Sequence, residues 1–174
     1  MTRRVLVAGL GNIFEGDDGF GVEVAQRLAR QPWPDGVEVR DFGIRGVHLA
    51  YQLLDGYDLV VMIDAVQRGN EPGTVYVIEH GPDEAAPEPA EDAGLMDAHD
   101  LAPDGVLALV PRLGGTLGRV VVVGCEPAIV APSMGLSASV ASSVDKAEQL
   151  VIELVRTALA AATALATEIR VGGG

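Results

Sequence analysis

Two short runs of this chain, Leu59-Val60-Val61-Met62-Ile63 and Val120-Val121-Val122-Val123, carry no polar side chain at all. A strand with one wet face alternates polar and apolar residues, whereas an unbroken apolar run must be covered on both faces. Helical patterns flank these runs. The spacing predicts a helix from about Gly19 to Gln31, with Phe20, Val24, Leu28 and Ala25 on one face and Pro32 and Pro34 behind it. A short helix is expected from His48 to Leu54, a third from Pro103 to Arg112, and a long last one from around 139–143 to Ile169. The first strand is residues 4–10. Val37 to Phe42 alternates like a strand near a sheet edge, and Thr74 to Ile78 follows a Gly-Asn-Glu-Pro-Gly turn short enough for a hairpin or close return. Strand and helix therefore alternate, which predicts an α/β fold built on one doubly wound, mostly parallel twisted sheet with helices on both faces. In such sheets ligands bind beyond the carboxyl ends of the strands, where the winding reverses.

At 174 residues and 48% hydrophobic, the chain is long enough for one well-buried domain and short for two. That domain is expected over residues 1–170, with a flexible tail at 171–174. The stretch at about 81–98 is rich in Pro, Glu and Ala without apolar period and is expected to be a mobile acidic surface loop. A net charge of -13 argues against nucleic acid and anionic membrane surfaces as partners, since both require basic patches. No stretch reaches the roughly 20 apolar residues of a membrane span, and no secretory signal is expected. The single cysteine, Cys125, forbids an internal disulfide and suits a reducing cytoplasm.

The first strand runs straight into Gly9-Leu10-Gly11-Asn12-Ile13-Phe14-Glu15-Gly16-Asp17-Asp18-Gly19-Phe20-Gly21. The glycines resemble the start of a dinucleotide fingerprint, but Phe14 stands where its third glycine belongs, and no P-loop Lys-Ser/Thr follows. Glu15, Asp17 and Asp18 instead present negative charge where a phosphate would sit, so the natural guest is a cation. Taken alone, Asp17 and Asp18 also suit a helix N-terminus, where carboxylates complement the dipole. Asp64 ends the first all-apolar run, and if the two strands are central neighbours it converges with Asp17 and Asp18 on one crevice. His99 lies just before a predicted helix, unlike His48 on a helix and His80 after a strand. Two carboxylates and an imidazole form a mixed oxygen and nitrogen donor set suited to a divalent transition ion with open coordination positions.

These residues together resemble the hydrogenase maturation endopeptidases. The resemblance is carried in order by Gly9-x-Gly11-Asn12, Asp17-Asp18-Gly19-x-Gly21, the strand ending Asp64-Ala65, Ala98-His99 and Gly124-x-Glu126-Pro127. Asp41-Phe42-Gly43-Ile44-Arg45-Gly46 is similar to an Asp-Gly-Gly-Thr-x-Gly turn of that family, with Ile44 where threonine is usual, and Gly135-Leu136-Ser137 leads into a helix containing Val144-Asp145-Lys146-Ala147. The resemblance implies a cytoplasmic endopeptidase that removes a C-terminal extension from the large-subunit precursor of a nickel-iron hydrogenase once nickel is in place. It also implies Asp18, Asp64 and His99 as metal-binding and catalytic residues, with Asp41 and Gly43 contacting substrate. The ion would be nickel, held by the protein or supplied by the substrate, with other divalent ions able to substitute.

No Ser-His-Asp order is evident, and Cys125 has no obvious partner base. Water is left as the attacker. A metal could polarise it or the scissile carbonyl, or the carboxylates could share a proton and act as acid and base, or the ion could be the client's own nickel, read as a sign of loading. A non-catalytic nickel-binding chaperone of the same client is the principal alternative. A small-molecule enzyme on the same frame is a further one, against which stands the lack of a phosphate loop or basic anchoring cluster.

Overall fold

A computed structural model of the chain describes residues 2–81 and 102–171, with side chains described as far as residue 163. Strand β1 (Val5–Leu10) leads through a single 3-10 turn (Gly16–Gly19) into α1 (Phe20–Leu28). There follow β2 (Val37–Gly43), α2 (Gly46–Leu53), β3 (Leu59–Ala65), β4 (Val75–His80), α3 (Pro103–Arg112), β5 (Arg119–Cys125), α4 (Ala138–Ala141) and α5 (Val144–Val171). The strands form one sheet in the order β2-β1-β3-β5-β4. Neighbours are parallel except β4, which runs antiparallel to β5.

Alternate residues of the central strands divide the core in two. Val5, Val7, Val61, Ile63, Val121 and Val123 face α1 and α5, where they meet Phe20, Val24, Leu28, Val151 and Val155. Leu6, Ala8, Val60, Met62, Val120 and Val122 face α2 and α3, against Leu49, Leu53, Val106 and Val110. The unbroken apolar runs are thus buried on both faces, as expected, and the edge strands β2 and β4 are only half-buried. Burial rather than capping holds α1: Gly19 at its N-cap makes no side-chain hydrogen bond, worth about 1 kcal/mol where present. Phe20, Val24 and Leu28, all fully buried, each contribute about 1.5–3 kcal/mol.

Two elements differ from the sequence reading. β4 does not return beside β3, because β3 already has β1 on one side and β5 on the other. It crosses to the far edge, pairing Val75 with Cys125 and His80 with Val120. The expected last helix is two helices. At the break Ser142 Oγ donates to the Ser139 carbonyl (2.8 Å) and Ser143 Oγ to the Gly73 carbonyl (2.6 Å), and serine side chains of this kind compete with the helical ladder. The acidic loop expected at about 81–98 and the tail at 171–174 fall, but for Gly81 and Val171, outside the described residues.

One close approach sets the position of everything at the carboxyl end of the sheet. A Cβ on Gly21 would stand 2.0 Å from the Ile63 carbonyl oxygen and 2.3 Å from that of Leu10. The first turn of α1 therefore lies directly on the ends of β1 and β3, which only glycine permits. The loop before it is drawn over the point where the chain winds from β1 outward to β2 on one side and to β3 on the other.

Candidate active site

Gly11 leaves β1 with φ +131°, and a Cβ there would lie 1.9 Å from the Asp18 carbonyl oxygen and 3.7 Å from Asp64 Oδ1. The glycine is the spacer between the two acids. Asp18 arrives on the 3-10 turn, and its Oδ2 accepts a hydrogen bond from the Asn12 amide at 2.7 Å. Asp64 ends the buried part of β3, is 6% exposed, and its Oδ1 accepts from the Ala65 amide at 2.8 Å. Asn12 shapes the loop between them, its Oδ1 accepting from the Phe14 amide at 3.0 Å. Asp18, from the loop after β1, and Asp64, from the last residues of β3, thus lie at the carboxyl ends of adjacent strands, at the reversal of winding where ligands bind in such sheets.

Asp17 is a different residue in kind from its neighbour. It is fully buried, and its carboxylate accepts hydrogen bonds from the amides of Ala128 (2.8 Å), Ile129 (2.8 Å) and Ser137 (2.7 Å) and from the Ser137 hydroxyl (2.9 Å). Burial pushes its pKa up, but these four donors outweigh burial and hold it below the ordinary carboxylate value. Neither the ligand reading nor the helix-dipole reading of the Asp17-Asp18 pair describes this role. Asp17 pins the loop after β5 against the loop after β1.

Asp41 and Gly43, expected to contact substrate, form the adjoining wall. Asp41 Oδ1 accepts from the Gly43 amide (2.8 Å) and its Oδ2 from Gln26 Nε2 (3.1 Å), while the Arg45 guanidinium donates to the carbonyls of Asp41 and Phe42. Gly43 adopts φ +55° and its carbonyl accepts from the Gly11 amide at 3.0 Å. The turn after β2 is thereby tied to the spacer between Asp18 and Asp64.

On the other flank, the register of β3 and β5 sets Asp64 beside Gly124 and Ala65 beside Cys125. Cys125 is fully buried, and burial pushes its thiol up to about 11, so no thiolate is available near neutral pH. Glu126, 5% exposed, accepts from the Tyr76 hydroxyl (2.6 Å) and from the amides of Arg68 (2.8 Å) and Gly69 (3.2 Å). The Tyr76 hydroxyl, with these amides, holds Glu126 below the usual carboxylate range. The Gly124-x-Glu126-Pro127 motif is therefore a brace that fastens the loop after β3 to the end of β5. Sequence reasoning missed this role and that of Asp17, although Ser137 and Glu126 both stood in the motifs it singled out.

His99, the third residue of the expected set, lies outside the described residues, and among the described ones no three His, Cys, Asp or Glu side chains gather to hold a metal ion. His80 pairs with Val120, at the opposite end of β5 from Asp64, and His48 is exposed on α2.

A family model described as hydrogenase maturation protease matches residues 22–154, a span that includes Asp41, Asp64 and His99 and begins just after Asp18. A protein of Methanocaldococcus jannaschii named as a hydrogenase maturation protease is 36% identical over 157 residues, covering 86% of this chain and 95% of that one. The solved hydrogenase 2 maturation peptidase of a Thaumarchaeota archaeon is 33% identical with a TM-score of 0.66, over 88% of this chain and 98% of its own. The Escherichia coli hydrogenase maturating endopeptidase HYBD, 26% identical, superposes with a TM-score of 0.70 over 89% and 93% of the two chains. The family model over residues 22–154 and the 36% identity over most of both chains lead to one assignment: this chain belongs to the hydrogenase maturation protease family.

Proposed function

We propose that the protein hydrolyses the peptide bond joining a C-terminal extension to the large-subunit precursor of a nickel-iron hydrogenase, and that the crevice of Asp18 and Asp64 is where the bond is cut. The observation that carries this reading is that Gly11 has the Asp18 backbone and the Asp64 carboxylate as its near neighbours, while the Asp18 carboxylate sits on the adjoining Asn12 amide. Family membership supports the reaction class, and the buried, high-pKa Cys125 speaks against a thiolate nucleophile. Water is then the attacker: its oxygen bonds to the carbonyl carbon, the C–N bond breaks, and the departing amine takes a proton. Asp18 and Asp64 are the groups that take the proton from water and return one to the amine.

Oxygen donors of this kind, completed by the imidazole of His99, fit a divalent transition ion. Nickel enters in this reading as cargo of the precursor, held during the encounter by Asp18, Asp64 and His99, so that an empty precursor is left uncut. Asp41 and Gly43 belong to the wall along which the extension lies. The reaction is placed in the cytoplasm, in keeping with a lone buried thiol, and among the described residues no helix is long and apolar enough to cross a membrane.

The test is to incubate the protein with nickel-loaded and nickel-free precursor and record intact masses. Loss of the extension from the loaded precursor alone is expected. A stable complex that never loses mass would favour a nickel-binding chaperone instead, and cleavage of both forms would remove nickel from recognition.

A further inference from the structure

Nine large hydrophobic side chains among the described residues are markedly exposed, and five of them belong to two paired loops, one of which leads into the turn that carries Asp18: Ile13 (41%), Phe14 (64%), Ile129 (50%), Val130 (45%) and Met134 (69%). Ile13 and Phe14 belong to the loop after β1, the other three to the loop after β5. The two loops run side by side. The Ser133 amide donates to the Phe14 carbonyl (3.0 Å), the Gly16 amide to the Ser133 carbonyl (2.9 Å) and the Asp17 amide to the Ile129 carbonyl (2.8 Å). The buried Asp17 carboxylate locks the same pair from beneath. These side chains are therefore held in water by a braced backbone and cannot collapse onto the core, which marks an interaction surface rather than scattered surface hydrophobes.

We propose that this apolar lip is the docking surface for the precursor, seating an uncharged, apolar segment of the client next to the bond to be cut. The proposal rests on the protease reading given above and names the surface by which that site acquires its substrate. Two further observations choose the occupant. First, residues 127–144 contain no charged side chain, in a chain that otherwise carries 25 acidic and 12 basic residues. The lip is a neutral, readily desolvated island on an acidic molecule. A second copy of the chain would bring another -13 of charge to the contact, and like charge disfavours it. Second, Phe14 is four residues from Asp18, and Ile129 is bonded directly to its neighbour Asp17. A polypeptide lying on the lip therefore runs along the loop that carries Asp18.

The variant Phe14→Ser/Met134→Ser removes the two most exposed members, neither of whose side chains can make a conventional hydrogen bond. Steady-state cleavage of nickel-loaded precursor should show KM raised at least about tenfold with kcat within about twofold of wild type, equivalent to a loss of about 1.4 kcal/mol in binding. Val77→Ser, which removes an exposed apolar side chain (46%) from the edge strand β4, should leave both parameters unchanged. Unchanged KM in the lip variant overturns the proposal. So does a wild-type dimer that the variant dissociates without a change in KM, since a second copy would then be the occupant. Should the wild type bind precursor without cutting it, the protease reading fails while the lip is judged on Kd alone: a tenfold weaker Kd for the variant upholds it, and an unchanged Kd overturns it.

Discussion

Replacing Asp17 with alanine should unfold far more of this protein than any change at its neighbour Asp18. The Asp17 carboxylate accepts four hydrogen bonds, three from backbone amides of the loop after β5 and one from the Ser137 hydroxyl. A hydrogen bond to a charged group contributes about 1.5–3 kcal/mol, so simple addition gives roughly 6–12 kcal/mol. That sum is too large, because the four share one acceptor and the freed amides can relax toward water. A net loss of about 3–4 kcal/mol is expected, in the range found when a buried charge cluster loses one member. For a domain of this length each kcal/mol moves Tm by about 2–4 °C, so the variant should melt roughly 6–16 °C lower. Thermal and urea unfolding followed by far-ultraviolet circular dichroism measure it. The effect should also depend on pH. Because the folded pKa of Asp17 is depressed, its contribution is present above the unfolded value of 3.8 and is lost as pH falls through the lower folded value. Wild type and variant should therefore converge in stability in strong acid. A Tm within about 2 °C of wild type at neutral pH would refute the reasoning.

Gly21→Ala tests the close approach of α1: alanine ordinarily favours a helix interior by about 1 kcal/mol over glycine. Here its Cβ would meet the Ile63 and Leu10 carbonyls at 2.0 and 2.3 Å, so the unfolding free energy from urea titration should fall by about 1–3 kcal/mol net, and a rise would contradict the packing. Cys125 should resist thiol reagents at pH 8 until urea is added, and Cys125→Ser should retain cleavage; rapid labelling of the folded protein would contradict its burial. Because burial raises the Cys125 pKa to about 11, its contribution is complete below the unfolded value of 9.0 and is lost as pH rises toward 11, so alkaline unfolding should be steeper in wild type than in Cys125→Ser.

The central frame was readable because strong hydrophobic patterns dictate it. Leu59 to Ile63 and Val120 to Val123 leave no polar face, and the structure buries them on both sides. Pro103 at the first turn and the apolar spacing behind it place α3 within its sequence-derived bounds. What escaped was set by tertiary choices with no local signature. Nothing in Val75 to His80 says that β5, which begins only at Arg119, will take the place beside β3. The division of α4 from α5 depends on Ser143 finding the Gly73 carbonyl across the molecule. At the site, charge and spacing alone presented Glu15, Asp17 and Asp18 as equivalents, and the family resemblance chose Asp18. The fold gives the physical difference: the oxygens of Asp17 are consumed by the loop 128–137, whereas Asp18 meets Gly11 and Asn12 beside Asp64. Asp41 and Gly43, expected to contact substrate, fold the turn after β2 on itself and tie it to Gln26 and Gly11, partners that no local pattern announces.

The central claim is that Asp18 and Asp64, with His99, perform the cut, and single-turnover cleavage of nickel-loaded precursor by Asp18→Asn, Asp64→Asn and His99→Ala tests it most directly. Asparagine keeps the size and one carbonyl oxygen of each acid, so the Asn12 and Ala65 amides keep an acceptor and each Asp variant should lose no more than about 1 kcal/mol of stability. The account predicts intact-mass spectra in which wild type releases the extension and all three folded variants release none. Release of the extension by folded Asp64→Asn at the wild-type rate would contradict it.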